Sequence, residues 1–191
     1  MSGAAERESA RVVVIGGGIA GVSTAYHLAL MGCTDVLLLE RDELTSGSTL
    51  HAAGNVPTYS TSWSAMKAQS YTAALYRELA EEFPINYHVT GSVRLAHSRE
   101  RFAEFRHVTS MANAQGMGYD MLTPSQLQEI YPLVETHDLV GALWDPLDGD
   151  IDPSQVTQAL ATRTRTMGGR IRRYERVIGL QQHANHHWTV T

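Results

Sequence analysis

Six residues near the N-terminus carry the first chemical signal: Gly16-Gly17-Gly18-Ile19-Ala20-Gly21. Their spacing is G-x-G-x-x-G, directly after the β-branched run Val12–Ile15. Gly16 permits a tight turn out of a strand. Gly18 has no Cβ to keep the backbone from a pyrophosphate, and Gly21 lets the next helix lie close to the sheet. The start of that helix offers free N–H groups and a partial positive charge to phosphate. A second apolar run, Val36–Leu39, ends in Glu40. A carboxylate at this point can accept hydrogen bonds from an adenosine ribose and repels a 2′-phosphate, which disfavours NADP. The pattern reads as dinucleotide binding, and alone it does not choose NAD from FAD.

The elements that must position these groups are strand, glycine turn, helix, strand and acid, a βαβ unit over residues 11–40. Residues 41–64 are rich in Gly, Ser and Thr and read as a long loop. Helical spacing through Tyr71, Leu75 and Leu79 predicts a helix over 65–82, stopped by Pro84. Residues 91–96 read as a strand. Phe102, Phe105, Val108 and Met111 predict a helix over 98–115, closed by Gly116. Thr123-Pro124-Ser125-Gln126 has the form of a capped helix start. Asp152-Pro153-Ser154-Gln155 repeats it and launches a helix to about Met167, ended by Gly168-Gly169. Short strands follow near Arg176–Leu180 and Trp188–Thr191. A plain NAD dehydrogenase domain reaches its third strand sooner. The helix-rich middle predicts a flavoprotein whose substrate-side domain branches from the dinucleotide domain.

Composition sets the class. With 191 residues, 18% charged and 43% hydrophobic, the chain has the make-up of a globular protein of one domain or one and a half. A net charge of −5 argues against a nucleic-acid partner. No apolar stretch approaches a membrane span. The lead, residues 1–10, lacks a secretory h-region and reads as a flexible tail. A single cysteine, Cys33, cannot form an internal disulfide, which suits a reducing compartment. The expected location is cytoplasmic, with the mitochondrial matrix as the alternative.

The stretch Glu40-Arg41-Asp42-Glu43-Leu44-Thr45-Ser46-Gly47-Ser48-Thr49-Leu50-His51-Ala52-Ala53-Gly54 resembles the dimethylglycine and sarcosine dehydrogenase branch of the D-amino-acid-oxidase (DAO) family of FAD-dependent oxidoreductases. Gly91-Ser92-Val93-Arg94-Leu95-Ala96 and Asp148-Gly149-Asp150-Ile151-Asp152-Pro153 agree with it, in order. The resemblance implies FAD, with the histidine at His51 carrying the flavin covalently; a neutral imidazole is a competent nucleophile near pH 7. It places Gly16, Gly17, Gly18, Ile19, Ala20 and Gly21 at the pyrophosphate, and Glu40 and Arg41 at the ribose. Gly47, Ser48, Thr49, Leu50, His51, Ala52, Ala53, Gly54 and Asn55 would run along the flavin, and Val177 would meet the adenine. Many relatives have an aromatic residue where this chain has Leu50.

The implied fold is α/β: a Rossmann-type FAD-binding domain, incomplete here, with the start of an inserted α+β substrate domain. The expected division is a tail over 1–10, FAD-binding residues 11–85, insertion 86–150, and a return over 151–191. The implied reaction is oxidative demethylation of a small secondary or tertiary amine, with tetrahydrofolate involved only in a full-length form. No catalytic acid or base stands out in the chain. Family members are longer, so an N-terminal fragment, inactive by itself, is expected. The alternatives are a D-amino-acid- or glycine-oxidase-like enzyme, and a non-catalytic truncated or regulatory relative.

Other constellations carry less. Asp148, Asp150 and Asp152 alternate like a calcium loop, but Pro153 and Ala159 occupy the places that need Gly and Glu. A turn at Asp148-Gly149 and a helix cap at Asp152 account for them better. His183, His186 and His187 have no cysteine or carboxylate beside them and read as a solvated loop rather than a metal site. Arg170, Arg172, Arg173 and Arg176 read as a polar face near a strand, and Trp63 and Trp144 as packing residues.

Overall fold

The computed structural model describes residues 8–191. In chain order the elements are β1 (Val12–Ile15), α1 (Ile19–Leu30), β2 (Val36–Leu39), β3 (Asn55–Val56), α2 (Trp63–Glu82), β4 (Tyr87–Val89), β5 (Ser92–Ala96) and α3 (Arg99–Asn113). There follow β6 (Asp120–Leu122), α4 (Pro124–Ile130), β7 (Gly141–Asp145), β8 (Gly149–Ile151), α5 (Pro153–Thr166), β9 (Arg170–Arg172), β10 (Leu180–Gln182) and β11 (Trp188–Val190). The chain divides into two compact units, one of residues 1–53 with 153–191, the other of residues 54–152. The boundary thus lies at 53/54 instead of 85/86. Helix α2 falls in the second unit because Met66 belongs to the core built around Phe105 and Leu143.

The first unit is built on a parallel sheet ordered β1-β2-β9. Val12 to Ile15 pair with Val36 to Leu39, and Leu37 to Leu39 pair with Arg170 to Arg172. This is the 3-2-1 start of a doubly wound fold, with its third strand supplied after the second unit. Helix α1 buries Val22, Ala25, Tyr26 and Ala29, and it packs on α5, which buries Val156, Ala159, Leu160 and Ala161. Alanines on both helices permit a close approach. Buried Thr157 and Thr164 donate to the carbonyls of Pro153 and Leu160, so neither hydroxyl is left without a partner.

Three sequence readings change in this unit. Residues 176–179 are not a strand; the N–H groups of Ile178 and Gly179 bond Thr191 O at 2.6 and 3.1 Å, and pairing begins at Leu180. The basic segment Arg170–Arg172 is itself a strand, with its arginines tied outward. Arg170 meets Asp35 at 2.7 Å and Glu8 at 2.5 Å, and Arg172 meets Glu8 at 2.6 Å. Glu8 and Ser9 are therefore held rather than free, while residues 1–7 of the expected tail lie outside the described residues.

The second unit has two antiparallel sheets, β3-β8-β4 and β5-β7-β6. Met66, Ala96, Phe105, Val108, Ala112, Met117, Tyr119 and Leu143 form its main core. A large side chain buried there contributes roughly 1.5–3 kcal/mol. Ser98 caps α3 through Arg101 N–H at 3.1 Å, and Thr123 with Gln126 forms a reciprocal capping box on α4. On α2 the buried stripe is Met66, Ala73, Leu75 and Leu79, while Tyr71 is half exposed and off the core face. Gly91 takes φ +69°, and the Trp144 ring lies where its Cβ would be, 2.1 Å away. Gly149 opens β8 instead of turning, which leaves Asp148 buried beside the strand.

Candidate functional site

The glycine turn joins β1 to α1 in the first unit. Gly16 leaves β1 at φ +109°, and its N–H donates to Leu39 O at 2.8 Å, extending the β1–β2 ladder by one bond. A Cβ on Gly21 would stand 2.0 Å from the carbonyl oxygen of Gly16. This glycine is needed where the helix begins to turn back on the strand. Gly18 is the N-cap of α1, and its place leaves no room for a Cβ beside Thr49 Oγ1, 2.9 Å away.

Side chains from further along the chain hold the turn. Glu40 Oε2 accepts the Gly17 N–H at 2.5 Å, and its Oε1 accepts the Asp42 N–H at 2.9 Å. Thr49, almost fully buried, accepts the Ile19 N–H at 2.9 Å. It supplies the hydroxyl cap that glycine lacks. The first turn of α1 contains no acidic residue. With the Gly17 and Ile19 N–H groups taken by Glu40 and Thr49, the other N–H groups of this acid-free helix start are the donors left for a pyrophosphate.

Beyond the C-terminal ends of β1 and β2 lies an open cleft of about 270 Å³. Its walls are Ile15, Gly16, Leu39, Glu40, Arg41, Glu175, Arg176 and Val177. In parallel sheets this is the end at which ligands bind. The 173–177 segment is pinned there from three sides. Arg173 pairs with Glu43 at 2.6 Å, the Tyr174 hydroxyl donates to Glu43, and Glu175 N–H donates to Glu40 O at 2.9 Å. The Tyr174 and Arg173 bonds hold the Glu43 carboxyl below the usual carboxylate range, with the Tyr174 bond the larger cause. Arg41 turns outward to Asp42 at 3.2 Å.

The loop after β2 folds back under the turn. Thr45, a β-branched residue at φ +73°, donates its N–H to Gly17 O at 3.1 Å and accepts the Leu50 N–H at the same length. Such a residue at positive φ is strained and persists only where its surroundings fix it. Gly47, Ser48, Leu50 and His51 are exposed on this loop, as are Ala52 and Ala53. The structure thus brings together the glycine turn, Ile19, Ala20, Glu40, Arg41, Thr49 and Val177. Gly54 and Asn55 belong to the second unit, at the start of β3.

Comparison with known proteins identifies the family. The family described as FAD dependent oxidoreductase (DAO) matches residues 11–191. The chain belongs to that family. It is 37% identical over 186 residues to mitochondrial dimethylglycine dehydrogenase of Rattus norvegicus, covering 96% of this chain and 22% of that protein. It is 38% identical over 164 residues to the mitochondrial pyruvate dehydrogenase phosphatase regulatory subunit of Mus musculus, covering 85% and 19%. Human mitochondrial sarcosine dehydrogenase is 36% identical over 166 residues, covering 85% and 18%. The chain therefore spans about a fifth of the length of these relatives. Among solved structures, L-proline dehydrogenase from P. horikoshii superposes with a TM-score of 0.84 at 28% identity, over 93% of this chain and 47% of that one.

The second unit contains a buried polar cluster that the sequence reading did not find. Thr58 Oγ1 lies 2.8 Å from Asp145 Oδ2, 2.9 Å from the Tyr119 hydroxyl and 3.2 Å from Asp148 Oδ1. Asp148 also accepts from Thr58 N–H at 2.6 Å, Ser92 Oγ at 2.5 Å and Arg94 at 3.3 Å. Asp145 is completely buried. Ser92, Arg94 and Asp148 come from the two stretches that carried the later part of the family resemblance, so those motifs meet in space. Among the described residues no group of three His, Cys, Asp or Glu side chains is placed to hold a metal. His183 faces Thr189 at 2.8 Å on an exposed hairpin. No helix among the described residues is long and apolar enough to cross a membrane.

Proposed function

We propose that the chain is the flavin-binding portion of a dehydrogenase that oxidises the C–N bond of a small secondary or tertiary amine of the dimethylglycine or sarcosine kind. The observation that carries this reading is the cradle. An acid-free helix start, a glycine turn fixed by Glu40 and Thr49, and a cleft bounded by Arg41 and Val177 lie at one sheet end. FAD supplies the hydride-accepting ring when bound. The chain's own residues bind and orient it. The α1 N-terminus takes the pyrophosphate, Glu40 takes the ribose, Val177 borders the adenine, and residues 47–53 receive the isoalloxazine side. His51, exposed on that loop, is proposed as the covalent anchor. Tetrahydrofolate would enter only through parts of a longer protein.

The test is a titration of the chain with FAD followed by flavin fluorescence and with ADP followed by calorimetry, then turnover of dimethylglycine and sarcosine by the protein that carries it, with an artificial electron acceptor. Acid precipitation tests the anchor: yellow colour should stay in the wild-type pellet and leave that of His51→Ala. Colour lost from the wild-type pellet would sink the covalent assignment. A second, non-catalytic reading is favoured by the similarity to a phosphatase regulatory subunit, and flavin binding without turnover of any amine would select it. The mitochondrial names of the relatives favour the matrix over the cytoplasm as the compartment.

A further inference from the structure

The buried cluster of the second unit poses a charge problem that the flavin-binding reading does not touch. Two carboxyl groups, Asp145 at the end of β7 and Asp148 just before β8, converge on one hydroxyl, that of Thr58. Arg94 from β5 is the guanidinium that reaches them, and it meets Asp148. Arg94 also lies over the Tyr59 ring, 4.3 Å from its centre, which fixes it on that side. The other titratable groups turned toward the pair are Tyr119 from the segment before β6 and Tyr87 from β4, both neutral phenols. The nearby Asp150 and His88 pair with each other at 3.0 Å. Two carboxylates against one cation, out of water, leave one negative charge uncompensated, and a buried unpaired charge is costly.

We propose that Asp145 and Asp148 hold one proton between them in mildly acidic solution, carried on Asp145, and that this proton makes the β7–β8 corner a pH-sensitive latch of the second unit. The hydrogen bonds fix which partner carries it. Asp148 has four donors around it, Thr58 N–H, Thr58 Oγ1, Ser92 and Arg94, and Asp145 as its hydrogen-bonding neighbour. Burial works against its charge, and these partners overcome that and hold it below the usual range. Asp145 accepts Leu147 N–H at 3.0 Å and, among the described residues, meets no cation. Burial first, then Asp148, push its carboxyl up to about 6. The bond from Thr58 to both carboxyls ties the loop after β3 to the corner, and Tyr119 joins it to the segment entering β6. The latch therefore fastens strands of both sheets of this unit.

The sign follows directly. An acid whose folded value lies above its unfolded one stabilises the fold below the unfolded value, and that contribution is lost as pH rises through the folded one. The window is about pH 4 to 6. A displacement of about two units corresponds to roughly a 100-fold rise in the local opening constant across it. The test is native-state hydrogen exchange of the Leu143 and Leu147 amides at a series of pH values, in wild type and D145N. The wild type should open about 100-fold more readily at the top of the window, and D145N, which keeps an uncharged group there, should show little of that rise. Parallel profiles would overturn the proposal. Should D145N fail to fold, carboxyl carbon-13 NMR of the wild-type chain decides alone. One aspartate titrating near pH 6 beside one titrating below the usual range supports the latch, and two ordinary titrations remove it.

Discussion

Replacing Gly21 by alanine tests the glycine turn most directly. The added Cβ would stand 2.0 Å from Gly16 O, 3.1 Å from Gly16 C and 3.5 Å from Val14 Cγ1. Ordinary contact begins at about 3.4 Å, so the start of α1 must move by more than an ångström relative to the end of β1. The obstacle is backbone and cannot swing away. Overpacking of this kind costs about 1–3 kcal/mol, and a rigid obstacle puts it at the upper end. Alanine regains about 1 kcal/mol of helix propensity over glycine. The net loss is then about 1–2 kcal/mol, near tenfold in the folding equilibrium. Binding should suffer further, because the same shift moves the Ala20 N–H group away from the proposed anion position. The assay is urea unfolding of wild type and G21A, with ADP affinity of the folded proteins measured by calorimetry. Gly47→Ala is the control, since its Cβ meets nothing within 4 Å. Wild-type stability and ADP affinity in G21A would refute the close-approach argument.

The remaining predictions concern the groups that brace these sites. Thr49→Val removes the acceptor of the Ile19 N–H while keeping shape, and should cost about 1 kcal/mol, the usual worth of a helix cap, measured by thermal unfolding. Gly91→Ala combines positive φ with a collision at Trp144, and should destabilise the second unit by at least 2 kcal/mol, read as loss of protection in the β5 and β7 amides.

How much was legible in the sequence depends on how far apart the interacting residues lie. The βαβ start, the Thr123 capping box and the helix stops at Pro84 and Gly168 are local events, and their residue types alone specify them. Strand β7 escaped notice because four of its five residues are buried, and a central strand shows no alternation. Strand β9 reads as polar because its arginines face outward to Glu8 and Asp35. The Thr58 cluster was invisible for a different reason. Thr58 and Asp148 are 90 residues apart, and only the two sheets bring them together. The positions of Glu40 and Val177 along the chain could be named in advance. That they border one cleft depends on Glu175 N–H binding Glu40 O, which no spacing encodes.

Glu40 and Thr49 change how the loop after β2 should be understood. Each takes one backbone N–H of the glycine turn, from Gly17 and Ile19. Thr45 takes part from the other direction, donating to Gly17 O from a strained backbone. A turn rich in glycine is conformationally loose, and a loose cradle would have to be ordered by its ligand at the expense of affinity. Here the ordering is done by three side chains or backbone groups that lie 23 to 30 residues downstream. The strain at Thr45 is tolerable because the bonds on both sides of it depend on that conformation. Residues 41–53 are therefore not a linker between the sheet and the second unit. They brace the glycine turn, with Leu44, Thr45 and Thr49 buried against it and His51 exposed.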